Sequence, residues 1–250
     1  MIQPPLLTPG DTVYITAPAK AIEETSVLAA KKTLETWGLN VRIAPHCLGR
    51  HHYFSGTDEE RLADFQDGLD DPSIKAILCA RGGYGCVRIV EALNWDNFKR
   101  HPKWIIGFSD VTVFHQKIHQ FGIESIHGIM PLGFTEGSVE AKETLRLALF
   151  GKSVLLETLS QKENKLGEVR GPLVGGNMTI IYSLMQTELS YSFENKILFI
   201  EDIGEHIYKI DRMLYAFKMA GIFNQIKGLI LGGFTDMEDT DVPFGKTIEE

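Results

Sequence analysis

The chain of 250 residues contains only three cysteines, Cys47, Cys79 and Cys86. The number is odd and no Cys-x-x-Cys spacing occurs, so neither a disulfide framework nor a zinc knuckle is written into it. No apolar run approaches the roughly 20 residues that a membrane-spanning helix requires. The start, Met1-Ile2-Gln3-Pro4-Pro5, lacks the basic opening and long apolar core of a signal peptide. Basic residues are outnumbered, 25 Lys and Arg against 33 Asp and Glu, for a net charge of −8. That balance argues against nucleic acid as the main partner, because phosphate binding needs a basic face. Repeats and low-complexity tracts are also missing. Together these absences predict a globular protein of the cytoplasm, with neither nucleic acid nor membrane as partner.

Present instead are enough apolar residues, 44% of the chain, for one large core or two modest ones. Asp11 to Ala17, Asn40 to Ala44, Ile74 to Cys79, the run ending at Gly107, and Glu124 to His127 read as strands. Helical spacing falls between them: Glu23 to Trp37, a capping-box start at Thr57 running through Leu69, Val87 to Leu93, Asp110 to Phe121, and Val139 to Phe150. Strands alternating with helices imply right-handed crossovers and a parallel, helix-covered sheet. Residues 1–150 are therefore predicted as an α/β domain and 151–170 as a polar linker. Residues 171–250 are predicted as a second domain. There Gly175-Gly176-Asn177 is read as opening a helix, Lys196 to Ile200 as a strand, Ile207 to Ala220 as a helix capped by Gly221, and Lys227 to Leu231 as a strand. Asp241 to Glu250 resembles the start of a further helix.

The stretch that draws attention is Trp104 to Thr112, in which a buried strand ends in Gly107-Phe108-Ser109-Asp110 and passes into a helix. A serine at such a turn stands off the sheet edge, with backbone N–H groups beside it. Val111 occupies the place of the second glycine of a nucleophile elbow. Two readings stay open on local sequence: Ser109 as nucleophile, or Ser109 as cap of the following helix. Arg81-Gly82-Gly83-Tyr84-Gly85 can offer N–H groups to an anion, or can be a tight turn needing positive φ. It matches neither a dinucleotide fingerprint nor a P-loop. Both loops would face the carboxyl edge of the sheet, where ligands of open α/β sheets bind.

Glu201-Asp202 ends a strand with two carboxylates, which suits a solvated strand end with Asp202 as a cap, or a hard cation. His115 and His119 are four apart on one helix, yet Gln116 stands where a zinc protease needs glutamate. A solvated helix face is the simpler reading. Cys79 reads as a buried strand cysteine more readily than as a nucleophile.

In order along the chain, Arg81-Gly82-Gly83-Tyr84-Gly85, Ile106-Gly107-Phe108-Ser109-Asp110, His127-Gly128, Gly175-Gly176-Asn177, Phe199-Ile200-Glu201-Asp202 and Tyr208 to Leu214 form a set. The chain resembles the muropeptide LD-carboxypeptidases, the serine peptidase family that also contains the microcin C immunity proteins, from about Val13 to Asp236. The resemblance implies a flavodoxin-like parallel-sheet N-terminal domain and a smaller, swivelling β/α C-terminal domain. It implies Ser109 as nucleophile, Glu201 as the triad acid, and the N–H groups of Gly83 and Asp110 as oxyanion donors. Arg81 and Gly82 are assigned to substrate binding, Arg81 by bidentate pairing with a carboxylate. The implied substrate is murein tetrapeptide, from which terminal D-alanine is removed during peptidoglycan recycling. No metal or other cofactor is implied, and the protein is expected to be a homodimer.

One departure stands out, because none of the eight histidines matches the position of the family's triad histidine, which lies near the C-terminus. The expectations that follow are a C-terminally truncated chain and an inactive one. Two rivals remain: an immunity-type hydrolase of peptidyl- or aminoacyl-nucleotides, and a muropeptide binder without catalysis.

Overall fold

The computed structural model describes residues 1–158, 161–165 and 167–249; three positions of the predicted linker, 159, 160 and 166, lie outside them. The chain divides into two compact units, Met1–Glu157 and Thr158–Glu250.

The first unit runs β1 (Thr12–Thr16), α1 (Glu24–Thr36), β2 (Asn40–Ile43), α2 (Asp58–Asp70), β3 (Ile74–Cys79), α3 (Cys86–Ile89), α4 (Asp96–Arg100), β4 (Trp104–Gly107), α5 (Thr112–Gln120), β5 (Ile126–His127), α6 (Pro131–Glu136) and α7 (Val139–Leu149). Its five strands pair in parallel in the order β2-β1-β3-β4-β5, the flavodoxin-like winding. The chain reverses direction across the sheet between β1 and β3. The loops after β1, β3 and β4 therefore emerge side by side at the carboxyl edge, where that reversal opens a crevice. The central strands are buried on both faces, with Val13, Ile15, Ile77, Leu78 and Ile105 fully shielded, as expected for a sheet covered by crossover helices. On one side an aromatic cluster closes the core, with Phe65 of α2 4.4 Å from Phe114 of α5 and Trp95 6.2 Å from Phe114.

Helix α2 begins as its sequence dictates. The Thr57 hydroxyl accepts from the Glu60 N–H at 3.2 Å, and the Glu60 carboxylate accepts from the Thr57 N–H at 2.8 Å, so two orphan donors are satisfied reciprocally. Three expectations for this unit need adjustment. The predicted helix over Val87 to Leu93 is only one turn, α3. Two short helices, α4 and α6, are too short to show a helical period in the sequence. The helix expected from Asp110 begins instead with a 3-10 turn, Ser109–Val111.

The second unit holds β6 (Leu173–Asn177), α8 (Met178–Ser183), β7 (Ile197–Ile203), α9 (Ile207–Met219), α10 (Ile222–Gln225) and β8 (Gly228–Thr235), with a parallel sheet β6-β7-β8. Val174, Met178, Leu198, Ile200, Ile210 and Phe217 form its core. Gly221, at φ 73°, ends α9 in the left-handed conformation, the role its position suggested. Gly175-Gly176-Asn177 does not open a helix directly. It forms the end of β6, and α8 starts only at Met178. The two glycines hid the strand from its propensities, yet Gly175 lies so close to β7 that an added Cβ would overlap the Phe199 carbonyl. The helix expected over residues 241–250 is not formed over 241–249, where there are only bends and irregular chain, and residue 250 lies outside the described residues. No helix among the described residues is long and apolar enough to cross a membrane.

Candidate active site

Strand β4 delivers Gly107 and Phe108 to a turn in which Ser109 takes φ 61°. A non-glycine residue in the left-handed region costs about 1–3 kcal/mol and persists only where its surroundings hold it there. This conformation disposes of the capping reading. The residue before the first turn is Phe108, and no side chain caps that turn. Ser109 is instead presented by a strained strand-to-helix turn, which is the geometry of a nucleophile elbow.

Two contacts hold the turn from within the unit. Gly107 has no Cβ, and one added there would lie 2.9 Å from Cγ2 of Val111 and 3.1 Å from Cβ of Cys79. The valine that departs from the elbow pattern thus occupies the space above Gly107 and packs the helix start onto β4. The buried His115 of α5 has Nε2 2.8 Å from the Gly107 carbonyl and Nδ1 2.8 Å from Oγ of Ser125. A carbonyl only accepts, so Nε2 donates and Nδ1 accepts from the serine hydroxyl, which defines a neutral ring. Burial pushes the His115 pKa down to about 4, in keeping with that tautomer. With both nitrogens engaged, His115 is no metal ligand, and the solvated-face reading fails for it. Among the described residues no group of three or more His, Cys, Asp or Glu is arranged to hold a metal ion.

The glycine loop after β3 lies directly against this turn. A Cβ on Gly82 would stand 3.0 Å from Cβ of Ser109 and 3.2 Å from the Asp110 nitrogen. Asp110 itself is buried and reaches back to the loop, its Oδ2 accepting from the Cys86 N–H at 2.8 Å. Burial raises the Asp110 pKa. Gly83, at φ 102°, uses the freedom that only glycine has. Among the described residues, neither the Gly83 N–H nor the Asp110 N–H is taken by an acceptor of the chain. Arg61, wholly buried on α2, donates to the carbonyls of Pro18 and Gly85 and pairs with Asp58, fixing the far end of the loop. Arg81 donates from Nη1 to the Ala21 carbonyl at 3.1 Å. All three cysteines are buried, and burial pushes each thiol up, Cys47 to about 12. A thiolate nucleophile is therefore excluded at Cys79.

The segment after β1 completes this edge. The Lys20 N–H donates to the Gly82 carbonyl at 3.3 Å, Ala21 N–H to the Tyr53 carbonyl, and Ser55 N–H to the Ala19 carbonyl. Residues around Tyr53 are thereby drawn beside the glycine loop. The structure brings together five residues singled out from sequence: Arg81, Gly82, Gly83, Ser109 and Asp110. Lys20 and His115 carry no sequence signal as neighbours of the turn, whereas Tyr53 belongs to the loop His46 to Ser55, which the sequence offers as a border of the cleft. Lys20 lies in the short apolar stretch Ala17 to Ile22 and has no motif around it, and the sequence marks His115 only by its spacing to His119.

In the second unit, β7 carries Glu201 and Asp202 on opposite faces. Asp202 is buried and accepts from Asn177 Nδ2, the Thr179 N–H, the Thr179 hydroxyl and the Ile203 N–H, at 2.7–2.9 Å. It ties the start of α8 to β7, and it is neither solvated nor free to bind a cation. Glu201 is half-buried. Desolvation first, and the adjacent Asp202 second, raise its pKa to about 7, against a hydrogen bond from Asn177. Room for it comes from Gly232 of β8, where a Cβ would stand 3.1 Å from Cβ of Glu201.

Residues 13–128 match the LD-carboxypeptidase N-terminal domain and residues 170–250 the LD-carboxypeptidase C-terminal domain. The murein tetrapeptide carboxypeptidase of Pseudomonas aeruginosa is 33% identical over 241 residues, covering 92% of this chain and 78% of that protein. A Synechocystis sp. protein named as a carboxypeptidase is 36% identical over 238 residues, covering 95% of this chain and 78% of its own. The crystal structure of muramoyltetrapeptide carboxypeptidase from Oxalobacter formigenes superposes with a TM-score of 0.84 at 29% identity, covering 95% of this chain and 81% of that one. The microcin C7 self-immunity protein MccF, solved with adenosine monophosphate, shares the fold with a TM-score of 0.85 at 22% identity, covering 100% of this chain and 84% of its own. By sequence and by fold, the chain belongs to the LD-carboxypeptidase family.

Proposed function

We propose that the protein is a serine LD-carboxypeptidase that removes terminal D-alanine from murein tetrapeptide. The observation that carries the reading is Ser109 at φ 61° on a strand-to-helix turn, with Gly82 packed against it. In this mechanism a histidine takes the Ser109 proton as Oγ attacks the carbonyl that precedes D-alanine. The N–H groups of Gly83 and Asp110 hold the oxyanion, for which untaken backbone donors are suited. The carbon–nitrogen bond then breaks, D-alanine leaves with the proton returned from the histidine, and water hydrolyses the acyl-serine. Glu201 orients and stabilises the imidazolium. Arg81 and Gly82 contribute to substrate binding. None of the eight histidines is assigned as the base. We further propose a homodimer working in the cytoplasm on peptides released from the wall, with residues 151–170 connecting its two domains.

The test is release of D-alanine from tetrapeptide by the protein made from the whole reading frame, with and without Ser109→Ala. Loss of at least about a thousandfold is expected, and undiminished release by the variant would refute the mechanism. A peptidyl-nucleotide, assayed beside the tetrapeptide, separates this reading from an immunity-type hydrolase, whose fold the chain shares.

A further inference from the structure

We propose that Lys20, assisted by the Tyr53 hydroxyl, recognises the free carboxylate at the end of the substrate peptide. The inference rests on the carboxypeptidase reading and adds to it the group that distinguishes a chain end from a chain interior. In a peptide ending in D-alanine, the terminal carboxylate carbon lies two bonds beyond the scissile nitrogen. Its binding partner must therefore lie within about one residue of the oxyanion donors, a span of about 4 Å along a backbone.

Lys20 and Tyr53 meet that requirement. Gly82 touches Ser109, and the next residue, Gly83, faces the two side chains. An added Cβ there would stand 2.8 Å from Oη of Tyr53 and 3.1 Å from Cβ of Lys20. The missing side chain at Gly83 thus leaves room for both groups beside the loop. The Lys20 ammonium sits 4.9 Å from the centre of the Tyr53 ring, a contact that restrains it without neutralising it. Of the cations packed nearby, two are paired with a carboxylate and the third has one donor engaged. Arg61 and Arg88 pair with Asp58, and Arg81 donates to the Ala21 carbonyl. Lys20 pairs with no carboxylate among the described residues. A partly exposed ammonium held at the glycine loop, with a hydroxyl donor beside it, is a receptor for one carboxylate.

The experiment measures binding on a Ser109→Ala background, so that turnover plays no part. Calorimetric titration with tetrapeptide is compared with titration by the same peptide ending in a carboxamide. The parent is expected to prefer the acid by about tenfold to a hundredfold, the range of a charge-assisted hydrogen bond. Lys20→Met should reduce that preference to within about threefold while leaving amide affinity unchanged, and Lys20→Arg should retain most of it. Tyr53→Phe should give an intermediate preference. A Lys20→Met protein that still prefers the acid as the parent does, or that loses acid and amide affinity equally, overturns the proposal. A parent that binds neither peptide refutes instead the substrate reading on which it rests.

Discussion

Acid should destabilise the first unit through His115, by an amount that its burial sets. The folded pKa is about 4, against an ordinary 6.5. Folding thus favours the neutral ring, and below 6.5 the unfolded chain binds a proton that the folded one refuses. Stability is fully present above pH 6.5 and declines as pH falls, until the folded ring itself protonates near 4. At pH 5 the unfolded imidazole is 1.5 pH units below its pKa while the folded one is still neutral. At about 1.4 kcal/mol per unit, the loss relative to pH 8 is about 2 kcal/mol. His127, whose ring is 6.1 Å from that of His115, is depressed to about 3 mainly by burial and adds in the same direction.

His115→Gln isolates the effect, because a glutamine amide nitrogen can reach the Gly107 carbonyl as Nε2 does and does not titrate. All three tryptophans, Trp37, Trp95 and Trp104, lie in the first unit, so urea unfolding followed by their fluorescence reports on that unit. Between pH 8 and pH 5 the variant should gain about 2 kcal/mol on the parent, whatever its baseline stability. At a typical urea dependence this is about 1 M in midpoint. A gap between the two proteins that stays constant across that range would refute the assignment of a neutral, doubly bonded His115.

Thr57→Ala removes one half of the capping box and should cost about 1 kcal/mol by the same fluorescence assay, with Thr57→Ser recovering most of it. Gly82→Ala forces a methyl to within 3.0 Å of Cβ of Ser109 and 3.2 Å of the Asp110 nitrogen. It should lower kcat/KM for D-alanine release about a hundredfold.

Much of the first unit was legible because its strands and helices alternate with clean periods and its second helix opens on Thr57-Asp58-Glu59-Glu60. The second unit was harder. Strand β6 ends in Gly-Gly-Asn, a composition that reads as a turn, and only the close approach of Gly175 to β7 explains why glycine is suitable there. At the candidate site, the Ser109 turn and the glycine loop are legible in the sequence, but not what couples them. Asp110 was legible as part of a motif, whereas its bond to the Cys86 N–H is a contact across 24 positions. The conformation of Ser109 was likewise invisible, because serine is compatible with both a cap and an elbow, and the decision is made by Gly107, Val111 and His115 around it.

The adjacent carboxylates at the end of β7 show how one strand can give like residues unlike roles. Alternation sends Asp202 inward, where four donors satisfy it and it becomes part of the framework. Glu201 faces the other way, half-buried, and the neighbouring Asp202 adds electrostatically to desolvation in raising its pKa to about 7. A carboxyl so tuned is protonated about half the time at neutral pH, which is unsuited to orienting a base by itself. An imidazolium at hydrogen-bond distance would reverse the shift, since an opposite charge favours the ionised form. Under the proposed mechanism, Glu201 and its histidine therefore titrate as one unit, and the acid limb of a pH–rate profile belongs to the pair rather than to either residue. Asp202, by holding Asn177 and Thr179, fixes the start of α8 against the strand that carries Glu201.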